Sequence, residues 1–115
     1  MATNNSGFRI HTHVQRAPAD LVGAFAGIPV ANVGDNMNRR ACMNARIRPM
    51  NGSPLLGTAI TVKTNPGDNL MLYAAIELAR PGDVIVLDAQ AELSNAITGE
   101  LMLTWAQTKG LAGIV

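Results

Sequence analysis

Gly99, Glu100, Leu101 and Met102 stand where a polar loop gives way to an apolar pattern with helical spacing. The amides of Glu100, Leu101 and Met102 would be free donors at a helix N-terminus, and that favours an anion. Gly99 would let a ligand come close to the backbone. On physical grounds alone an ordinary flexible turn is the simpler account, and Glu100 must point away from any anion held there. Asp88 closes an apolar run, a position where open α/β sheets present ligand-binding groups, and a turn or cap role explains it equally well. Asp68 and Asn69 head another helical pattern, and capping is their expected role. His11 and His13 alternate along an extended segment and could share a metal, although solvated histidines are the simpler account. Cys42 is expected to be a buried small residue, and Trp105 to pack in the core or an interface. Arg39, Arg40, Arg46 and Arg48 form a loose basic cluster, read as a solvated face or a subunit contact. No phosphate-binding glycine loop, dinucleotide fingerprint or zinc-type Cys/His spacing occurs.

The elements that must position these residues are punctuated by a tripeptide used twice, Pro66-Gly67-Asp68 and Pro81-Gly82-Asp83. Before the first copy, "LLGTAITVKT" alternates Ile60, Val62 and Thr64 against Ala59, Thr61 and Lys63, which predicts a strand with one wetter face. After it, Leu70, Ala74 and Leu78 share a stripe with Met71 and Ala75, which predicts a helix buried on that side. Pro66-Gly67 makes the turn and Asp68 caps the helix. The second copy ends the helix, with Gly82 in the left-handed conformation, and launches "VIVLD" as a strand buried on both faces. Leu101, Met102, Trp105 and Ala106 mark a further helix stopped by Gly110, and "LAGIV" opens another strand. The result is a β-α-β-α-β order, an α/β fold with a largely parallel sheet. Upstream, Pro18 opens a short helix with Leu21, Val22 and Phe25 on its buried face, and Pro29 opens a second one to about Arg40. Residues 1–7 read as a frayed end.

A chain of 115 residues, 48% apolar and 15% charged, is one globular domain's worth. So light a surface charge predicts that another subunit covers part of it. A net charge of +1 without basic clusters or stacking aromatics argues against nucleic acid and anionic membranes. The lone cysteine suits a reducing compartment, no apolar run reaches membrane-spanning length, and the N-terminus has no hydrophobic signal core. The chain is therefore expected to be cytoplasmic.

Three stretches in order and in spacing, "GTAITVKT-x-PGDNL", "ARPGDVIVLD" and "GELM…A…KGLAGIV", make the chain resemble the RraA-like family, and "VANVGDNMNRR" resembles the family's N-terminal helix with its aspartate, here Asp35. The family contains the regulator of ribonuclease E activity A and the 4-hydroxy-4-methyl-2-oxoglutarate aldolases. The resemblance implies a β/β/α swivelling-type domain assembled as trimers or pairs of trimers, with sites between subunits. In the aldolase branch it implies a divalent metal, Mg²⁺ or Mn²⁺, that stabilises a pyruvate enolate during retro-aldol cleavage or oxaloacetate decarboxylation. The pyruvate carboxylate is then held by the backbone at Gly99, Glu100, Leu101 and Met102, with Asp68, Asn69, Asp88 and Asp35 as supporting residues.

Two departures accompany the resemblance. The family's glycine-rich loop after "VIVLD" is replaced by Ala89, Gln90 and Ala91. The family's Arg-Asp pair, substrate arginine and metal-binding aspartate, would fall beyond Val115, so no metal ligand is expected within residues 1–115. The chain reads as a C-terminally truncated family domain, or as one that has lost its metal site, and residues 1–115 alone are expected to fold poorly. The alternative is a non-catalytic, regulator-type protein that covers a ribonuclease surface. A methyltransferase is disfavoured by the lack of a glycine-rich nucleotide loop.

Overall fold

Alternation of apolar residues along 58–63 and a solid apolar run along 83–88 produce two parallel neighbours in the computed structural model, which describes residues 7–115. Strands β1 (Thr58–Lys63) and β2 (Asp83–Asp88) pair from Thr58↔Asp83 to Lys63↔Asp88. The short β3 (Gly113–Ile114) joins the other side of β2 through Val84↔Gly113 and Ile85↔Ile114, giving a parallel sheet in the order β1-β2-β3. Parallel neighbours need crossovers, and helices supply them. After α1 (Ala19–Ala24) and α2 (Val30–Asn36), α3 (Leu70–Leu78) links β1 to β2 and α4 (Glu100–Thr108) links β2 to β3.

The core lies between sheet and helices. Ile60, Val62 and Ile85 from the strands meet Leu72, Ala75 and Ile76 of α3 and Met102 and Ala106 of α4. Both Pro-Gly-Asp turns act as expected at their glycines, with φ +74° at Gly67 and +84° at Gly82, values that cost a side-chain-bearing residue more than glycine. Gly57 has a different constraint: a Cβ there would lie 2.2 Å from the Gly82 carbonyl oxygen, so β1 and the second turn meet backbone to backbone.

Several expectations need correction. The buried face of α3 is Leu72, Ala75, Ile76 and Ala79, while Leu70 is 55% exposed. The helix is apolar nearly all round, so periodicity left the inward direction open. Leu101 is 85% exposed, and Met102 and Ala106 alone carry the buried face of α4. Helices α1 and α2 bury no residue, and among the described residues nothing covers the face bearing Leu21, Val22 and Phe25. Helix α2 stops at Asn36 instead of about Arg40, as Asn38 and Arg39 turn to positive φ. Cys42 is exposed, its thiol 4.0 Å from the Arg40 carbonyl. The expected frayed end, but for Gly7, lies outside the described residues.

One long-range ion pair organises the start of the chain. Arg16 donates from Nε and Nη2 to the Asp83 carboxylate at 3.0 and 2.6 Å, and the Arg80 amide donates to the same carboxylate at 2.7 Å. Arg16 Nη2 also reaches the Leu78 carbonyl, and Val14 packs on the core beside it. The second Pro-Gly-Asp turn is thereby tied to the extended arm that precedes α1.

Candidate functional site

The carboxyl ends of β1 and β2 meet at one edge of the molecule. The amide of Thr64, a buried residue, donates to the Asp88 carbonyl at 3.1 Å, and its hydroxyl donates to the Asp68 carbonyl at 2.7 Å. The Asp68 carboxylate accepts the Leu70 amide at 2.9 Å, so it caps α3 from one residue ahead of Asn69, the N-cap. Asp88 accepts the Gln90 amide at 2.9 Å, and the Gln90 side chain donates to the Thr64 carbonyl at 3.1 Å, closing the loop after β2 onto the end of β1. Further along that loop, hydrogen bonds from the Ser94 hydroxyl and amide hold the Glu92 carboxyl below its ordinary range, and Asn95 packs against Gly67.

The loop delivers Gly99 to the N-cap of α4. Gly99 is extended at φ −148°, a conformation open to any residue, and no side chain caps the helix. Its carbonyl accepts the Leu103 amide at 3.1 Å, the first bond of the helix, so the amides of Glu100, Leu101 and Met102 have no intrahelical acceptor. Unpaired donors at the positive end of a helix macrodipole favour a carboxylate or phosphate. A Cβ on Gly99 would meet nothing within 4 Å, so the approach to these donors is open.

Asn69 and Met102 are brought together, the Asn69 side-chain amide lying 3.9 Å from the Met102 sulfur. Asp68 and Asp88 shape the turns on either side of this contact. Asp35 is elsewhere in its bonding: it pairs with Arg39 at 2.8 Å one turn along α2, and no hydrogen bond or ion pair joins it to the sheet edge. Arg40, Arg46 and Arg48 are exposed, and His13 faces the Thr12 hydroxyl. Among the described residues no three His, Cys, Asp or Glu side chains gather as metal ligands. These residues therefore do not by themselves fit a divalent cation. The residue pair that sequence reasoning missed is Arg16 and Asp83. The available signal was an acid at the head of an apolar strand, where a buried carboxylate needs a basic partner.

A parallel sheet with crossover helices defines the class of open α/β proteins. Within it the chain belongs to the RraA-like family: the family model described as Aldolase/RraA matches residues 30–115. The chain is 36% identical over 103 residues to a Halalkalibacterium halodurans protein named "Putative 4-hydroxy-4-methyl-2-oxoglutarate aldolase". That match covers 89% of this chain and 49% of the relative, so the chain spans about half the relative's length. Among the described residues no helix is long and apolar enough to cross a membrane.

Proposed function

We propose that this protein is a cytoplasmic lyase acting on 2-oxo acids, by retro-aldol cleavage of 4-hydroxy-4-methyl-2-oxoglutarate-type substrates to pyruvate, by oxaloacetate decarboxylation, or both. Family membership and the named relative support the aldolase class. The observation that carries the substrate class is the uncapped start of α4, where three backbone amides stand ready for the carboxylate of a pyruvate unit. A carboxylate accepting backbone amides stays ionised and fixed in direction, which holds the adjacent 2-oxo group in one orientation. Asn69 and the loop bonded through Gln90 and Thr64 keep that helix start in place. Divalent-metal dependence, with Mg²⁺ or Mn²⁺, belongs to the proposal, and its ligands would be supplied by residues other than those clustered here. When bound, the ion would act as a Lewis acid towards the enolate.

The experiment is an assay of the intact protein for pyruvate release from both substrates, with Mg²⁺, with Mn²⁺ and with a chelator. Gly99→Val should leave the fold intact, since its Cβ enters open space, yet crowd the donors. It is expected to weaken pyruvate binding by about tenfold, the scale of one charge-assisted hydrogen bond. Affinity unchanged in the folded variant would refute the carboxylate assignment. Lyase activity absent in every metal condition would return the protein to the regulator-type alternative.

A further inference from the structure

A cavity of about 580 Å³ lies beside the start of α3; its lining takes in Thr64, Asp68 and Gln90 of the edge described above and none of the residues at the start of α4. Arg9 comes from the N-terminal arm, Lys63 from the end of β1, Asn65 from the first Pro-Gly-Asp turn and Gln90 from the loop after β2. Arg9 and Lys63 make no salt bridge and no side-chain hydrogen bond among the described residues, and neither does the Asn65 side chain. The one carboxylate in the lining, Asp68, already accepts the Leu70 amide. Two cations against one carboxylate leave the lining net positive.

The walls are tied down. The arm carrying Arg9 is anchored through Val14 on the core and through Arg16 on Asp83. The Thr64 hydroxyl fixes the turn after Lys63, and the Gln90 side chain is bonded to the Thr64 carbonyl. The first turn of α3, Leu70 and Met71, completes the lining, with the Leu70 amide already taken by Asp68. An anion bound in a lining with two unpaired cations is attracted by both.

We infer that this cavity binds a phosphoryl group, with Arg9 and Lys63 as its charge partners and Asn65 as an added donor. A phosphate dianion suits two cations better than a monocarboxylate does, and Arg offers it two parallel bonds. The volume exceeds the need of a bare phosphate ion, so a small phosphorylated metabolite is the ligand class. The cavity shares Thr64, Asp68 and Gln90 with the edge that supports the start of α4, but its charge partners are distinct from the Glu100–Met102 amides.

Calorimetric titration of the intact protein with inorganic phosphate and with glycerol 3-phosphate, at low ionic strength, tests this. Binding is expected to weaken by about fivefold or more in Arg9→Ala and again in Lys63→Ala, the range for a lost phosphate contact near a surface. Gly99→Val should keep the phosphate affinity, and pyruvate should not compete. No binding of either probe by the intact protein would overturn the inference. So would affinities unchanged in both charge variants, or phosphate displaced by pyruvate and lost in Gly99→Val, which would put it at α4 instead.

Discussion

Asp83 shows what one residue of the doubled tripeptide does that its twin does not. Asp68 and Asp83 follow the same Pro-Gly pair, yet Asp68 caps a helix from the surface and Asp83 is almost wholly buried. Burial pushes the Asp83 carboxyl up, but the hydrogen bonds from Arg16 and the Arg80 amide, with the charge of both arginines, outweigh it and hold the group below its ordinary value. A carboxyl depressed in the folded state contributes stability above its unfolded value near 3.9, and that contribution disappears as pH falls through the folded value. Melts of the wild type should therefore lose stability steeply below about pH 4, and Asp83→Asn should flatten this part of the profile. At neutral pH, Asp83→Asn is expected to cost about 3 kcal/mol, the scale for leaving one member of a buried pair alone. Denaturant titration reads this directly, and a cost under about 0.5 kcal/mol would mean the pair behaves like an exposed one. The tripeptide itself was legible in the sequence. The difference between its copies was not, because the partner of Asp83 lies 67 residues away.

At the scale of elements, strands, crossover helices and their order could be read from spacing, as could the proline turn that follows α3 and the glycine that follows α4. The inward face of α3 could not, since a helix with apolar residues on most sides is oriented by its neighbours and not by its own pattern. The loop after β2 is the instructive case. Where the family resemblance leads one to expect glycines, Gln90 and Ala91 take φ +60° and +56°, the left-handed region in which a Cβ is strained. The backbone takes a glycine-type conformation with side chains present, and the Gln90 bond to Thr64 helps to hold it. Ala91→Gly should therefore stabilise the protein by about 1 kcal/mol, less the entropy glycine loses on folding. The opposite sign is expected at Gly57→Ala, where the new methyl would meet the Gly82 carbonyl oxygen and neither backbone can yield without disturbing the β1–β2 register. Thermal melts of the two variants should move in opposite directions. A Gly57→Ala protein as stable as the wild type would show that β1 can shift at no cost.

For the molecule as a whole, the distribution of apolar surface matters more than its amount. The exposed large hydrophobic residues fall mostly before β1: Phe8, Ile10, Leu21, Phe25, Ile28 and Val30 are all 40% exposed or more. Leu21 and Val22 of α1 and Phe25 at its C-cap line one concave surface with Leu56 and the start of β1, so they form a connected patch and not scattered single residues. Connected apolar patches on soluble proteins mark contact surfaces. Charge is sparse at 15% of residues, so little repulsion opposes association. We propose that a second copy of the protein covers this face in a homo-oligomer, in keeping with the trimers or hexamers that the family resemblance implies. The intact protein should sediment above monomer mass at micromolar concentration. Phe25→Glu, placed within the patch and outside the core of the sheet, should shift it towards monomer while leaving the far-ultraviolet circular dichroism unchanged. A wild type that sediments as a monomer at that concentration would leave α1 to be covered within a single chain and would end the oligomer proposal.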